Sequence, residues 1–151
     1  MPKYISKDFP LSEITLRRYE KPYKVTRRES IRKLCLSLGL LQPGDSRDVI
    51  VDVFQTIVDA SKKKKMISSE EVQKRVISSR KRSKIPLNGI APSNIRRQIK
   101  RLKDIQLVEN IKNEYRITEF DNISTVFEER ILDLYLSQIT KRVKDYCKAI
   151  K

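Results

Sequence analysis

The stretch from Gly89 to Thr118 restricts the fold of this chain more than any other, because it joins a basic helical pattern to a short hairpin pattern. Pro92 suits the first position of a helix, where its missing N–H costs nothing. Three aliphatic residues then recur at the spacing of one buried helical stripe: Ile95, Ile99 and Leu102. We therefore expect a helix over residues 92–104 with one face in a core.

The remainder of the stretch predicts two short strands. Two alternating runs, 107–110 and 114–118, flank a polar turn over residues 111–113 that contains an Asn. Such a turn between alternating runs is a signal for a β-hairpin. The sequence therefore places a small antiparallel hairpin directly after the helix.

In this order, the helix and the hairpin resemble the recognition helix and the wing of a winged helix-turn-helix domain. The residues that carry the resemblance are Ile95, Ile99, Leu102, Leu107, Val108, Tyr115, Ile117 and Thr118. The whole chain resembles the small archaeal winged-helix proteins that are predicted transcriptional regulators. It departs from the family at Gln106, where the family usually has a left-handed Gly that ends the helix.

The resemblance implies sequence-specific binding to double-stranded DNA, with helix 92–104 in the major groove and the wing on the flanking backbone. Arg pairs with guanine and Asn with adenine through two hydrogen bonds each. The outward positions of the helix are therefore the candidate contacts to base edges: Ser93, Asn94, Arg97 and Lys100. The candidate phosphate contacts, which would set affinity and register, are Arg96, Arg101, Lys103, Lys112, Asn113 and Arg116.

The distribution of charge favours a polyanionic partner. The net charge is +15 and the isoelectric point is near 10.0. Residues 62–103 hold fifteen basic residues against two acidic ones, whereas residues 45–61 hold one basic residue against four acidic ones. A basic face of this kind attracts nucleic acid. The alternative interpretation is the solvated surface of an ordinary core helix.

The inventory of side chains argues against an enzyme. The chain has no His, two distant Cys and no G-x-x-x-x-G-K phosphate loop, so the usual metal ligands and general bases are missing. We expect no cofactor and no small-molecule ligand, and we expect Cys35 and Cys147 to be buried as small apolar side chains. No apolar run reaches the roughly eighteen residues of a membrane span, and the N-terminus lacks an apolar signal core. We therefore expect a cytoplasmic protein.

The sequence divides into three segments. These are a basic N-terminal arm with an amphipathic helix (1–44), a winged helix-turn-helix domain (45–120) and a C-terminal helix (121–151). The predicted fold class is mainly α with a small β-hairpin wing. In that fold, a winged helix-turn-helix core is flanked by an N-terminal helix and a long C-terminal helix.

The N-terminal segment contains a helix that we expect to begin at a capping box of Thr26 and Glu29 and to stop at Gly39. The residues before this helix form either an arm on the DNA backbone or a strap on the domain. The strap would pack through Ile14, Leu16, Tyr19 and Tyr23. The candidate arm contacts are Arg17, Arg18, Arg27 and Arg28.

The central segment begins with a helix that has a wide apolar face and mostly acidic exposed residues, and we expect Asp45 or Ser46 to cap it. A second capping box at Ser68 predicts a helix that runs to about Arg80. The connection 81–91 is longer than the usual turn of a helix-turn-helix. It is either a basic finger on the DNA backbone or a long closed connection.

The C-terminal segment predicts a helix from about Thr125 to Ile150 with two sets of apolar residues. One set follows heptad spacing: Leu132, Leu136, Ile139, Val143, Tyr146 and Ile150. A second set widens the first half only: Phe127, Ile131, Leu134 and Tyr135. We expect the first half to pack on the domain and the heptad stripe to form a twofold homodimer. The alternative is that the N-terminal helix of the same chain covers both faces.

Three other functions fit the same composition. An RNA-binding module would favour exposed aromatic residues for base stacking, and the basic helix has none. A non-specific chromatin protein would bind all duplexes alike. A winged-helix adaptor in a larger protein assembly would present its basic face to an acidic protein.

Overall fold

The computed structural model describes residues 8–150, so the first seven residues of the predicted arm and Lys151 lie outside the described residues. The described chain is mainly helical with one two-stranded antiparallel hairpin, which confirms the coarse prediction. Its elements are α1 (Arg27–Ser37), α2 (Val49–Lys62), α3 (Ser69–Arg82), α4 (Pro92–Asp104), β1 (Val108–Ile111), β2 (Glu114–Ile117), α5 (Ile123–Val126), a π-helical segment (Phe127–Leu136) and α6 (Ser137–Ala149). Within residues 8–150, no helix has the length and apolarity needed to cross a membrane.

The predicted start and stop of α1 are confirmed. The side chain of Thr26 accepts a hydrogen bond from the Glu29 N–H at 3.2 Å. Gly39 follows the helix with φ +72°, the left-handed conformation that favours glycine. A Cβ at Gly39 would lie only 2.5 Å from the Cβ of Thr15, so the N-terminal strap crosses the end of α1 at a distance that only glycine permits.

The strap, residues 8–25, is held to the end of α1 by both backbone and side chains. The Arg17 N–H donates to the Ser37 carbonyl at 2.8 Å. Ile14 and Tyr19 pack against the core, as the strap interpretation predicts. Leu16 and Tyr23, by contrast, are 43% and 60% exposed, so only half of the predicted packing residues contribute.

The predicted cap of α2 is wrong. The helix begins at Val49 with Asp48 at the cap position, and the Asp48 side chain makes no capping bond. Its carboxylate is instead 3.1 Å from Arg28 and 3.4 Å from Arg80. Asp45 accepts from the backbone N–H of a nearby residue in a local turn and does not reach the helix. Ion pairing has therefore displaced capping at this helix start.

The expectation that the acidic residues of α2 are exposed is wrong for Asp52, which is 3% exposed. Its carboxylate accepts from Arg28 Nε at 3.0 Å and from Arg80 Nη1 at 2.5 Å. The hydrogen bond to Asp52, together with the neighbouring carboxylates, raises the pKa of Arg28 despite partial burial. We call Arg28, Asp48, Asp52 and Arg80 the charge cluster; it joins α1, α2 and α3.

One hydrophobic core contains residues from all three predicted segments, including Cys35, Phe54 and Ile131. The central element is α2, which packs against α1, α3, α4 and β2. Ten of its fourteen residues are buried, as expected of a helix covered on most sides. The core thus places α3, α4 and the hairpin around one central helix.

The predicted cap of α3 is confirmed, because the Ser68 side chain accepts from the Glu71 N–H at 3.2 Å. Side chains of α3 hold the connection to α4 at its middle and near its end. Arg80 Nε donates to the Pro86 carbonyl at 2.8 Å, and Gln73 Nε2 donates to the Ile90 carbonyl at 2.8 Å. These bonds hold the long connection in one position relative to α3.

The hairpin forms as predicted. Val108 lies opposite Ile117 in the antiparallel register. Lys112 and Asn113 form the two-residue turn with φ of 52° and 66°, the left-handed conformation that matches the twist of paired strands. Gln106 also has a positive φ, 73°, so this residue takes the conformation for which glycine is usually required.

The C-terminal helix begins two residues earlier than expected, because the Asn122 side chain caps it by accepting from the Thr125 N–H at 2.8 Å. The prediction that its first half packs on the domain is confirmed for Ile131, which is fully buried, but is wrong for Leu134, which is 45% exposed. The cause is the π-helical winding of Phe127–Leu136. A π turn takes more residues than an α turn. The three-residue step from Ile131 to Leu134 therefore rotates through a smaller angle about the helix axis than it would in an α-helix.

The second half of this helix contributes no residue to the core. None of the residues of α6 is buried. The expectation that Cys147 is buried is therefore wrong, whereas Cys35 is fully buried, as predicted. Burial raises the pKa of the Cys35 thiol to about 12. Within residues 8–150, α1 packs mainly against α2 rather than against α6, contrary to the alternative in which α1 covers the C-terminal helix.

Candidate nucleic-acid interface

Helix α4 has one apolar face and one basic face, and burial fixes which face points outward. Pro92 occupies the first turn, and the helix buries Ile95, Ile99 and Leu102 against α2 and α3. The predicted side chains that are exposed on the outer face are Ser93, Arg96, Arg97, Lys100 and Lys103. Three buried anchors therefore present five of the predicted contacts on one surface.

The charges on this outer face are weakly neutralised. Among residues 8–150, no carboxylate lies in ion-pair contact with Arg96, Arg97 or Lys103. Lys100 is 3.0 Å from Asp104, but both side chains are more than half exposed. Exposed pairs of this kind contribute about 0–1 kcal/mol, so Lys100 can exchange its carboxylate for a phosphate or a base at small cost.

Asn94 has a different position from the other predicted base contacts. Its amide nitrogen donates to the Gly89 carbonyl at 2.8 Å, and its amide oxygen accepts from Gln98 Nε2 at 3.0 Å. The side chain is half-buried. Gly89 has φ +78°, and a Cβ there would lie 3.0 Å from the Asn94 amide nitrogen. Asn94 thus holds the connection before α4 against the helix.

Arg101 is also engaged within the fold. Its guanidinium donates to the Leu40 carbonyl at 2.7 Å and to the Gln98 side chain at 2.9 Å. These bonds attach α4 to the segment that follows α1. Arg101 was predicted as a phosphate contact, and in this structure it fixes the position of α4 instead of projecting from it.

The wing presents two of its three predicted contacts. Lys112 and Asn113 are exposed at the tip of the hairpin. Arg116 is half-buried, pairs with Glu109 at 2.6 Å and lies over the ring of Phe120, 4.7 Å from its centroid. Burial raises the pKa of Glu109, but the Glu119 N–H and the Arg116 guanidinium outweigh that effect and lower it overall. Arg116 therefore stiffens the base of the hairpin.

Of the four candidate arm contacts, three bind groups of the same chain. Arg17 donates to the Leu36 carbonyl at 2.8 Å. Arg27 is paired with Asp59 at 2.6 Å on the surface, and Arg28 belongs to the charge cluster. Arg18 is exposed. The arm residues are thus mainly internal anchors in this arrangement.

Sequence reasoning missed Arg47, which borders the same surface. It lines a groove of about 610 Å³ between the N-terminus of α2 and α4, together with Asn94 and Arg97. Its side chain is 88% exposed, and its carboxylate partner is Asp45 at 3.2 Å. Arg47 was overlooked because it is the only basic residue in the acidic span 45–61. The sequence signal that could have identified Arg47 is its position just before the N-terminus of α2.

Within the part of the chain that the structure describes, no group of three or more Cys, Asp or Glu side chains could hold a metal ion. Comparisons with protein-family models, with curated proteins and with solved structures find no match to this chain. Function is therefore inferred from the geometry and charge of the surface formed by α4 and the hairpin.

Proposed function

We propose that the chain is a sequence-specific double-stranded DNA-binding protein that regulates transcription. In this proposal α2, α3, α4 and the hairpin form a winged helix-turn-helix unit, with α4 in the major groove. The observation that carries the proposal is the outer face of α4, where Ser93, Arg97 and Lys100 lie exposed above three buried anchors. An α-helix fits the major groove, where each base pair presents a distinct hydrogen-bonding pattern.

The exposed residues divide into two roles. Arg97, Lys100 and Ser93 lie nearest the pole opposite the buried stripe, so they would meet base edges. Arg96 and Lys103 lie toward the flank of the helix and would contact phosphates, which set affinity without reading sequence. Asn94 would read a base only after exchanging its bonds to Gly89 and Gln98, so we assign it to positioning.

The wing would contribute backbone contacts through Lys112 and Asn113, which are exposed at its tip. The acidic residues in and just before α2 are compatible with binding to a polyanion, because they are paired. Asp48 and Asp52 are neutralised in the charge cluster, and Asp59 is paired with Arg27. The strongest acidic stretch of the sequence therefore adds little repulsion toward a polyanion.

The test uses two double variants that separate the two roles. Wild type, Arg97→Ala/Lys100→Ala and Arg96→Ala/Lys103→Ala would each select from a random pool of labelled duplexes and be titrated at several salt concentrations. Each removes two charges from α4. A matched control, Lys62→Ala/Lys63→Ala, removes two exposed charges at the C-terminal end of α2.

We expect Arg97→Ala/Lys100→Ala to lose sequence preference, because each lost base contact costs about 1–3 kcal/mol of discrimination. We expect Arg96→Ala/Lys103→Ala to weaken all duplexes alike and to reduce the slope of log K against log salt by about 2. Equal binding by wild type and both α4 variants, or an equal loss in the control, would overturn the assignment.

The competing functions give different results in the same titration. An RNA-binding module would prefer duplex or single-stranded RNA over DNA at each salt concentration. A non-specific chromatin protein would bind duplexes tightly but enrich no sequence from the pool. Absence of duplex binding at low salt would favour the adaptor, whose basic face would meet an acidic protein.

A further inference from the structure

Helix α6 lacks the burial that stabilises helices in globular proteins. It is 13 residues long and has no buried residue, and residues 140–150 are all exposed. Isolated helices of about 12–15 residues are marginal in water, because most helical stability comes from packing an apolar face. The exposed face of α6 is nevertheless apolar, with Val143 at 56%, Tyr146 at 69% and Ile150 at 81% exposure. Because α6 continues the helix that Ile131 anchors in the core, a partner is not required for it to form, but one that covers this face would stabilise it.

The apolar surface extends beyond the helix itself. A groove of about 690 Å³ lies between the strap and α6, bordered by Phe9, Leu11, Val143 and Tyr146. Phe9 and Leu11 are 85% and 94% exposed. The strap is attached beside the groove through the Tyr135 hydroxyl, which donates to the Glu13 carbonyl at 3.0 Å. Contiguous apolar surface of this kind marks an interaction site.

The spacing of the apolar residues in the heptad stripe is the same when the helix is followed in either direction. Its central members are Leu132, Leu136, Ile139 and Val143, with spacings of four, three and four residues. This spacing is symmetric about the point between Ser137 and Gln138. Leu132 and Leu136 lie in the π-helical segment, where a step of four residues still returns to nearly the same side of the helix. In an antiparallel pair centred between Ser137 and Gln138, Leu132 would meet Val143 of a second copy, and Leu136 would meet Ile139. Four apolar layers would then form across the twofold axis.

The charges on the two halves of the helix are opposite in sign. The first half holds three acidic residues against Arg130: Glu128, Glu129 and Asp133. The second half holds four basic residues against Asp145: Lys141, Arg142, Lys144 and Lys148. An antiparallel pair places the acidic half of one chain beside the basic half of the other. A parallel pair would place like charges together along the whole length.

We infer that the C-terminal helix forms an antiparallel homodimer with a second copy of this chain, centred between Ser137 and Gln138. The stripe supplies the apolar layers, and the two oppositely charged halves set the orientation. The interface contains no residue of α4 or of the wing. The inference therefore goes beyond the proposed DNA binding, and its test needs no DNA.

The first experiment measures self-association by analytical ultracentrifugation of the full chain. We expect a dimer for wild type and at least a tenfold weaker association for Val143→Glu. Because no residue of α6 belongs to the core, Val143→Glu should keep the cooperative thermal unfolding of the domain, and any loss of helical circular dichroism should not exceed the contribution of α6. A wild-type chain that stays monomeric at all concentrations would overturn the inference, as would a Val143→Glu variant that dimerises normally.

The second experiment tests orientation by charge reversal. Lys144→Glu/Lys148→Glu makes the second half acidic, so an antiparallel pair would be weakened at least tenfold. Adding Glu128→Lys/Asp133→Lys exchanges the two halves and should restore association. In a parallel pair, the first double variant would leave like charges facing like, and association would not fall. Either that result or a failure of the exchanged variant to recover would overturn the antiparallel arrangement.

The third experiment measures orientation directly. Cys147 is exposed and Cys35 is fully buried, so a nitroxide reagent can label Cys147 in the native chain. At 1.5 Å rise per residue, the two labelled positions would be about 28 Å apart in the antiparallel pair. A parallel pair would hold them side by side. Electron–electron distance measurement separates these cases, and a short distance would overturn the inference.

Discussion

In the charge cluster, Asp52→Asn removes the most deeply buried carboxylate, which makes the shorter contacts to both Arg28 and Arg80. The side chains of Asp52 and Arg80 are 2% and 4% exposed, and that of Arg28 is 24% exposed. Breaking a buried pair by removing one partner costs about 3–5 kcal/mol, because the remaining charge stays buried without compensation. We therefore expect a large loss of stability.

The surroundings of the cluster place the loss toward the lower end of that range. Asp48 remains 3.1 Å from Arg28 and 3.4 Å from Arg80, and Arg80 keeps its bond to the Pro86 carbonyl. These contacts offset part of the lost interaction, so we expect the free energy of unfolding to fall by about 3 kcal/mol. For a domain of this size, that loss lowers the midpoint of thermal unfolding by roughly 6–12 °C.

The assay is urea unfolding at neutral pH, followed by far-ultraviolet circular dichroism, with Asp59→Asn as the matched control. Asp59 pairs with Arg27 at 2.6 Å, but the two side chains are 51% and 41% exposed. We expect the control to lose less than about 1 kcal/mol. A loss in Asp52→Asn equal to that of the control would refute the argument that burial makes this cluster essential.

Three further predictions concern single residues. Gln106→Gly should raise the free energy of unfolding by about 0.5–1 kcal/mol. Gly relieves the backbone strain of the left-handed conformation at φ 73°, and this gain exceeds the cost of the greater entropy that Gly gives the unfolded chain. An unchanged urea midpoint would contradict this prediction. A colorimetric thiol reagent at mildly alkaline pH should titrate only Cys147 in the folded chain and also Cys35 in urea, because burial raises the Cys35 pKa to about 12; rapid reaction of both thiols before unfolding would be inconsistent with it. Glu109→Gln should destabilise the chain at neutral pH, because the pKa of Glu109 is lower in the folded chain than its ordinary value of 4.5. The ionised carboxylate therefore stabilises the fold above pH 4.5, and this stability is lost as the pH falls through the folded-state pKa. A difference in stability from wild type that persists in acid would argue against pairing with Arg116.

Local signals in the sequence predicted the parts of the fold that depend on neighbouring residues. Thr26 and Ser68 cap their helices as expected, since each acts on an N–H three positions away. The hairpin turn at Lys112 is equally local. These features follow from chain geometry over a few residues, so no knowledge of the tertiary structure was needed.

Features that depend on distant residues could not be predicted in this way. Asp52 resembles an exposed polar position of α2, and its partners Arg28 and Arg80 lie 24 and 28 residues away. Arg101 resembles its basic neighbours, but its acceptor is the carbonyl of Leu40, 61 residues earlier. Within the candidate interface, the sequence therefore predicted which residues are basic but not which of them are free to contact a ligand.

The C-terminal helix shows a third kind of difficulty. The spacing of its apolar residues predicts a stripe, but spacing does not say what covers that stripe. Cys147 was expected to be buried because its position is apolar, and it is exposed because residues 140–150 lie outside the core. The π-helical winding of Phe127–Leu136 further shifts the faces of the first half.

The hairpin is anchored to the rest of the chain through β2, and this affects the thermodynamics of any binding event. Ile67 and Tyr115 exchange two backbone hydrogen bonds at 3.0 and 2.8 Å, and the Ile117 N–H donates to the hydroxyl of Ser61 at 2.8 Å. A two-stranded hairpin is marginal alone, and a disordered segment loses about 1–2 kcal/mol per residue when a ligand orders it. Because this hairpin is ordered beforehand, its contacts would add to affinity without the large heat-capacity change of folding coupled to binding.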